Sequence, residues 1–138
     1  MTTNAPEKHS VLPEMTEQEI FDKVATHLLT QMAKSSRLNP LIPPAIQGET
    51  CLYRDSFGRK CAVGCLIPDE LYDPDMDPRS VAELLDEFPE LDSLRKHVAL
   101  LEDLQGIHDT VEPTRWKTAL TIYGRSQEFN TSVLDKFT

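Results

Sequence analysis

The chain has 138 residues, of which 39% are hydrophobic, and this is enough for one folded domain with a modest core. Its formal net charge of −9 argues against a generic nucleic-acid binder, because such proteins carry a basic patch. The three cysteines, the polar N-terminus and the lack of a long apolar run favour reduced thiols in a soluble cytoplasmic protein without a membrane segment.

The N-terminal part of the chain divides into an arm, a helix and a loop. Residues 1–15 have no periodic pattern, so we predict a flexible N-terminal arm followed by a single globular domain over residues 16–138. A capping-box spacing and a regular apolar stripe predict a helix over residues 17–34. Residues 35–50 contain three prolines and a glycine, which predict a packed loop.

The next segment has the pattern of a β-hairpin. Asp55 and Gly58 occupy the first and fourth positions of a turn, and the residues on either side alternate in character. This predicts a two-stranded hairpin over residues 51–63, with Arg54 opposite Lys60. The residues predicted on its inner face are Cys51, Tyr53, Cys61 and Val63.

The C-terminal half predicts helices separated by prolines and glycines. The predicted segments run from Asp77-Pro78 to the residue before Pro89, from Asp92 to Gly106, from Pro113 to Gly124, and over residues 129–137. The expected fold class is therefore mainly α within an α+β architecture. About five helices pack against one two-stranded β-hairpin.

Residues 69–92 are strongly acidic, with ten acids and one base. Charge of one sign on one segment steers association with a basic partner, so we expect a non-enzymatic binding or inhibitor module that engages a basic protein surface. The candidate partner-binding residues are Asp73, Asp75, Glu83, Asp86, Glu87 and Glu90. The competing interpretation is a solvated face that keeps a small protein soluble.

A cysteine-centred site is the alternative function. A thiol beside a helix N-terminus or a histidine has a lowered pKa, and Cys61, His108 and Asp109 supply the necessary residue types. They predict an enzyme or a small-ligand-binding protein, against the interpretation of a buried cysteine and a histidine at a helix end.

A zinc site is also conceivable from the three cysteines, with His97 or His108 as a fourth ligand. Only Cys61 and Cys65 have a spacing close to that of a zinc knuckle, and Cys51 lies far from both. We therefore predict cysteines that pack in a core, with neither a metal nor a cofactor.

Several motifs of the chain occur in a distinctive order. These are Cys-x-Tyr-Arg at 51–54, Gly-Arg-Lys-Cys-Ala-Val-Gly-Cys-Leu-Ile-Pro-Asp-Glu at 58–70, Leu-x-x-Leu-Gln-x-Ile-His-Asp at 101–109, and Trp116. Over residues 17–123 this pattern resembles a family of small uncharacterised proteins of tailed bacteriophages and bacterial genomes. The resemblance implies a phage or mobile-element setting, and hence an accessory protein acting on a host protein in the host cytoplasm, but it carries no activity.

Overall fold

The computed structural model describes residues 12–37, 50–77 and 79–137, and the fold of these residues is helical. The four α-helices are α1 (Glu17–Gln31), α2 (Val81–Glu87), α3 (Val98–Thr110) and α4 (Trp116–Ser126). Single turns and longer stretches of 3₁₀-helix connect them at Gly64–Leu66, Pro74–Met76, Pro89–His97, Pro113–Arg115 and Ser132–Lys136. None of the described helices is long and apolar enough to cross a membrane.

Helix α1 forms the centre of the core. Thr16 Oγ1 accepts a hydrogen bond from the Glu19 N–H, and the Glu19 carboxylate accepts one from the Thr16 N–H, which confirms the predicted capping box. The buried residues of its apolar stripe are Ile20, Phe21, Val24, Ala25, Leu28 and Leu29. The helix ends before Met32, which has a φ of 51°, so it stops three residues short of the prediction.

The predicted β-hairpin over residues 51–63 is wrong. The turn forms, because the Gly58 N–H donates to the Asp55 carbonyl over 3.2 Å and Gly58 has a φ of 81°. Arg54 and Lys60 pair as predicted, but only as an isolated antiparallel bridge.

Pairing does not extend beyond this bridge because both flanks of the turn have other partners. On one flank Cys51 belongs to a two-residue strand, β2 (Thr50–Cys51), which pairs with β1 (Ser36–Arg37). On the other flank the chain curls into a helical turn, in which the Cys65 N–H donates to the Cys61 carbonyl over 3.0 Å.

The prediction of five helices is also wrong. Ser80, and not Asp77, caps α2, since its Oγ accepts from the Glu83 N–H while the Glu83 carboxylate accepts from the Ser80 N–H. The helix predicted from Asp92 forms as 3₁₀-helix before α3, and the last predicted helix is only the 3₁₀ stretch Ser132–Lys136. Gly106 and Gly124 lie within α3 and α4 and do not end them.

Most of the predicted N-terminal arm lies outside the described residues, and so does Pro78. Residues 12–15 lie against the 3₁₀-helix Pro89–His97. The Leu12 N–H donates to the Glu90 carbonyl over 2.9 Å, and Glu14 forms a 2.7 Å ion pair with Lys96. Leu12 is buried by this contact.

The packing of α4 on α1 depends on Gly124. A Cβ atom there would lie 2.7 Å from Thr131 Cγ2 and 2.8 Å from Phe21 Cζ. We expect Gly124→Ala to lower the free energy of unfolding by about 1–2 kcal/mol, because overpacking outweighs the higher helix propensity of alanine. Urea denaturation measures the change, and an unaltered midpoint would contradict the close packing of α4 on Phe21.

Candidate functional site

Cys61 lies in the core with none of its surface exposed. Its Sγ accepts a hydrogen bond from the Gly64 N–H over 3.2 Å, and burial raises the pKa of the thiol well above its usual range. The Cys65 thiol donates a hydrogen bond to the Ala62 carbonyl, and burial raises the pKa of this thiol to about 12. Both thiols are therefore protonated at neutral pH, whereas a cysteine nucleophile needs a lowered pKa.

His108 is fully buried and uses both ring nitrogens in hydrogen bonds within the protein. Its Nε2 accepts from the Ser35 N–H over 3.0 Å, so the proton of the neutral ring is on Nδ1, which donates to Asp109 Oδ1 over 2.7 Å. The ring also stacks on Trp116, with the centroids 5.6 Å apart. The imidazole therefore joins α3 to the segment after α1 and is not positioned to act as a base.

The zinc ligands considered from the sequence do not converge in the part of the chain that the structure describes. No group of three or more His, Cys, Asp or Glu side chains among the described residues could hold a metal ion. His97 Nε2 lies 2.9 Å from the Met15 carbonyl and holds the N-terminal segment in place.

The acidic segment lies mostly at the surface. Of the six candidate partner-binding residues, Asp73, Asp75, Glu83, Asp86 and Glu87 are exposed and Glu90 is half-buried. Two of them also have a local structural role. The hydrogen bonds from Ser80 lower the pKa of Glu83, and Asp73 accepts from the Asp75 N–H over 2.9 Å.

Arg79 within the segment, and cations from other parts of the chain, neutralise part of this charge. Arg79 forms a 2.7 Å ion pair with Glu87, and Arg95 lies 2.8 Å from Asp92 and 3.5 Å from Asp86. At the start of the segment, Arg54 and Lys60 both contact Asp69, and the hydrogen bond from Arg54 lowers the pKa of this carboxylate. Ten acids thus face four cations among the described residues, which leaves an excess of negative charge.

A cavity of about 340 Å³ adjoins the acidic segment. Three parts of the described chain form its walls: residues 52–53, Asp77 together with residues 79–81, and the part of α3 from Glu102 to Asp109. Its volume is at the lower end of the range for small-molecule sites.

Hydrogen bonds fix the first two walls to each other. Asp77 Oδ1 accepts from the N–H of Tyr53 over 2.9 Å, and the hydroxyl of Tyr72 donates to Asp77 Oδ2. The Tyr53 hydroxyl donates to the Arg79 carbonyl over 2.8 Å. Burial, with the carboxylates of Asp109 and Asp77 nearby, raises the pKa of Tyr53.

The third wall, on α3, contains one residue of the predicted cysteine-centred site. Gln105 Oε1 accepts from the Val63 N–H over 3.0 Å, and its Nε2 donates to Asp109 Oδ1 over 2.9 Å. Gln105 and His108 thereby hold the Asp109 carboxylate at the cavity. Cys61 and His108 are themselves buried and do not line it.

Sequence reasoning missed Glu102, Gln105 and Gly106 as cavity residues. The available signal was Gly106, which lies inside a helical apolar pattern where glycine costs stability. Its interpretation as the end of the helix is wrong, because the helix continues to Thr110.

No protein-family model, no curated protein and no solved structure gives a significant match to this chain.

The buried position of Cys61 determines how fast its thiol reacts. In a variant with Cys51→Ser and Cys65→Ser, we expect the remaining thiol to react with a disulfide reagent at least about a hundredfold more slowly in native buffer than in denaturant. Absorbance of the released thiolate measures both rates. Rapid reaction of the native protein, with a midpoint below pH 7, would instead favour the cysteine-centred enzyme.

Gly106 differs from Gly124 because a Cβ atom there would meet no atom of the described residues within 4 Å. We expect Gly106→Ala to raise the free energy of unfolding by about 0.5–1 kcal/mol, since alanine has the higher helix propensity and the cavity accommodates its methyl group. Urea denaturation of both alanine variants gives a matched comparison. A loss of stability at position 106 would show that the cavity is closed beside α3.

Proposed function

We propose that this protein is a small non-enzymatic accessory protein that binds, and thereby inhibits, another protein through the acidic segment 69–92. The partner presents a basic surface. The observation that carries the proposal is the exposure of five carboxylates on a segment that also contributes to the core. The exposed residues are Asp73, Asp75, Glu83, Asp86 and Glu87, and the buried ones are Met76, Val81, Leu84, Leu85 and Leu91. The segment thus contributes to the core with one face and offers carboxylates to a partner with the other.

The carboxylates of the segment differ in whether they form ion pairs, and this difference supports a role in partner recognition rather than in solubility alone. Arg79 and Arg95 fix the carboxylates of α2 and of the following 3₁₀-helix in defined positions. Asp75 makes no ion pair with any residue that the structure describes and leaves its charge available. Ordered carboxylates lose less entropy on binding than freely rotating ones.

The alternative, an enzyme or ligand-binding protein that uses Cys61, His108 and Asp109, has less support. The thiol is buried with a raised pKa, and both nitrogens of His108 are already hydrogen-bonded. The setting in a phage or mobile element, the host cytoplasm and the absence of direct nucleic-acid binding remain part of the proposal. They are supported by the sequence pattern and the net charge of −9.

Two variants with the same change in net charge test the proposal. In the test variant, Asp75→Lys and Asp86→Lys reverse charges within the acidic segment. In the control, Glu112→Lys and Glu128→Lys reverse exposed charges outside it. Glu112 occupies the N-cap position of the 3₁₀ turn Pro113–Arg115 but makes no side-chain capping hydrogen bond. Neither pair therefore removes a capping hydrogen bond or a buried residue, and both variants are expected to fold with unchanged thermal midpoints.

Each immobilised protein is exposed to a bacterial host lysate at low and at high salt, and retained proteins are quantified by mass spectrometry. We expect a basic protein that the wild type and the control retain at low salt and that the test variant retains about tenfold less well. If both variants lose it equally, only net charge matters. If neither variant loses the basic protein, the acidic segment is only a solvated face. Equal loss by both variants and loss by neither variant each contradict the proposal.

A further inference from the structure

The turn over residues 54–60 carries an exposed phenylalanine. Among the large apolar side chains that the described chain exposes, Phe57 is the most exposed, at 79%, and Ile122 follows at 66%. Phe57 belongs neither to the hydrophobic core nor to the residues packed against it. The Arg59 guanidinium lies 5.1 Å from the centre of its ring. Aromatic and arginine side chains of this kind are the usual anchors of protein interfaces.

The turn holds this ring in a fixed position. Asp55 Oδ1 accepts hydrogen bonds from the Phe57 N–H over 2.9 Å and from the Arg59 N–H over 3.0 Å. The base of the turn is attached to α1 through Gln31, whose Nε2 donates to the Lys60 carbonyl over 2.9 Å and whose Oε1 accepts from the Lys60 N–H over 3.0 Å. A ring that is already ordered loses less entropy when it is buried by a partner.

A groove of about 530 Å³ lies along α1 beside this turn, and its surface is mostly apolar. The residues that line this α1 groove are Met15, Glu19, Asp22, Lys23, Thr26 and His27. His27 joins the groove to the turn, since its Nε2 lies 2.8 Å from the Lys60 carbonyl. Phe57 is only three residues before Lys60, so their Cα atoms are no more than about 11 Å apart. The protruding ring and the groove therefore adjoin on one surface.

The charges that the turn exposes complement those of the α1 groove. The Asp55 carboxylate is enclosed, with 1% of its side chain exposed, whereas Arg59 exposes 35% of its side chain. The groove contains two carboxylates, Glu19 and Asp22, and one ammonium group, that of Lys23. Asp22 accepts a hydrogen bond from within its own helix over 2.8 Å and has further acceptor sites. A guanidinium that accompanies the ring is therefore attracted to the groove.

We propose that the turn and the α1 groove form a two-fold interface between two copies of this chain. Phe57 of each copy enters the groove of the other, and its Arg59 lies beside Asp22. A two-fold interface uses the same patch on both copies, so that patch must contain both complementary parts. A ring and a groove that adjoin on one surface meet this requirement. The inference goes beyond the proposed function, because no residue of the acidic segment 69–92 takes part.

Sedimentation of the full chain over a range of concentrations tests the interface. A reducing agent is present, so that a disulfide cannot account for a dimer. We expect a reversible equilibrium between monomer and dimer, with a Kd of about 1–100 μM because the contact area is small.

Three single variants locate the contact. Phe57→Ser removes the ring, and Thr26→Arg places a long cationic side chain in the groove on a helix that tolerates arginine. Each is expected to weaken dimerisation about tenfold or more, since each change occurs twice in the dimer. The control is Ile122→Ser, which removes an exposed apolar side chain of α4 outside the patch and is expected to leave the Kd unchanged. Circular dichroism shows whether each variant is folded.

A mixture of two variants tests whether the contact is reciprocal. When the Phe57→Ser chain is mixed with the Thr26→Arg chain, the intact ring of the second can enter the intact groove of the first. One of the two contacts is then restored, whereas neither variant alone can form any. We therefore expect the mixture to dimerise more tightly than either variant by itself.

Each outcome supports or contradicts the interface. A chain that remains monomeric at every concentration would overturn it, and so would oligomers that grow beyond the dimer. A dimer that a folded Phe57→Ser variant leaves unchanged, equal weakening by Ile122→Ser, or a mixture no tighter than its components would also overturn it. The Asp75→Lys, Asp86→Lys variant is expected to dimerise normally, so failure of the proposed function and failure of this inference are distinguishable.

Discussion

The carboxylate of Asp77 determines how the acidic segment is attached to the rest of the fold. The backbone N–H groups of Tyr53 and Arg54 have no strand partner, and Asp77 Oδ1 lies 2.9 and 3.4 Å from them. A buried N–H without an acceptor costs about 1–3 kcal/mol, so this side chain replaces the missing strand. Asp77 Oδ2 accepts a hydrogen bond from the Tyr72 hydroxyl, and the Tyr53 hydroxyl donates one to the Arg79 carbonyl. These bonds hold Tyr53 and Arg54 against Asp77 and Arg79 and create one side of the cavity.

The elements that depend on local signals were predictable from the sequence. The α1 helix follows from its capping box and apolar stripe, and the pairing of Arg54 with Lys60 follows from Asp55 and Gly58. The hairpin failed because the decisive contacts lie far away along the chain. Cys51 pairs with Ser36, and the backbone N–H of Tyr53 donates to Asp77, 24 residues later. The wrong start of α2 is a different failure, because the capping box of Ser80 and Glu83 is present in the sequence.

The candidate site shows the same division. The outward position of Glu83, Asp86 and Glu87 follows from the apolar stripe of one short helix, which is local information. The cavity could not be predicted, because Glu102 and Asp109 meet Asp77 and residues 79–81 only after α3 has packed beside α2. Burial likewise determines the chemistry of Cys61. The spacing of residues shows which groups are present, but only the fold shows that the thiol is enclosed and protonated.

The acidic face and the cavity differ in range but share one structural element. Exposed carboxylates act over about 8–10 Å in physiological salt, so they attract a basic surface before contact. A cavity acts only at contact, where shape and a desolvated charge discriminate between ligands. The α2 helix carries Glu83 and Glu87 on its exposed side, and Ser80 and Val81 at its start line the cavity.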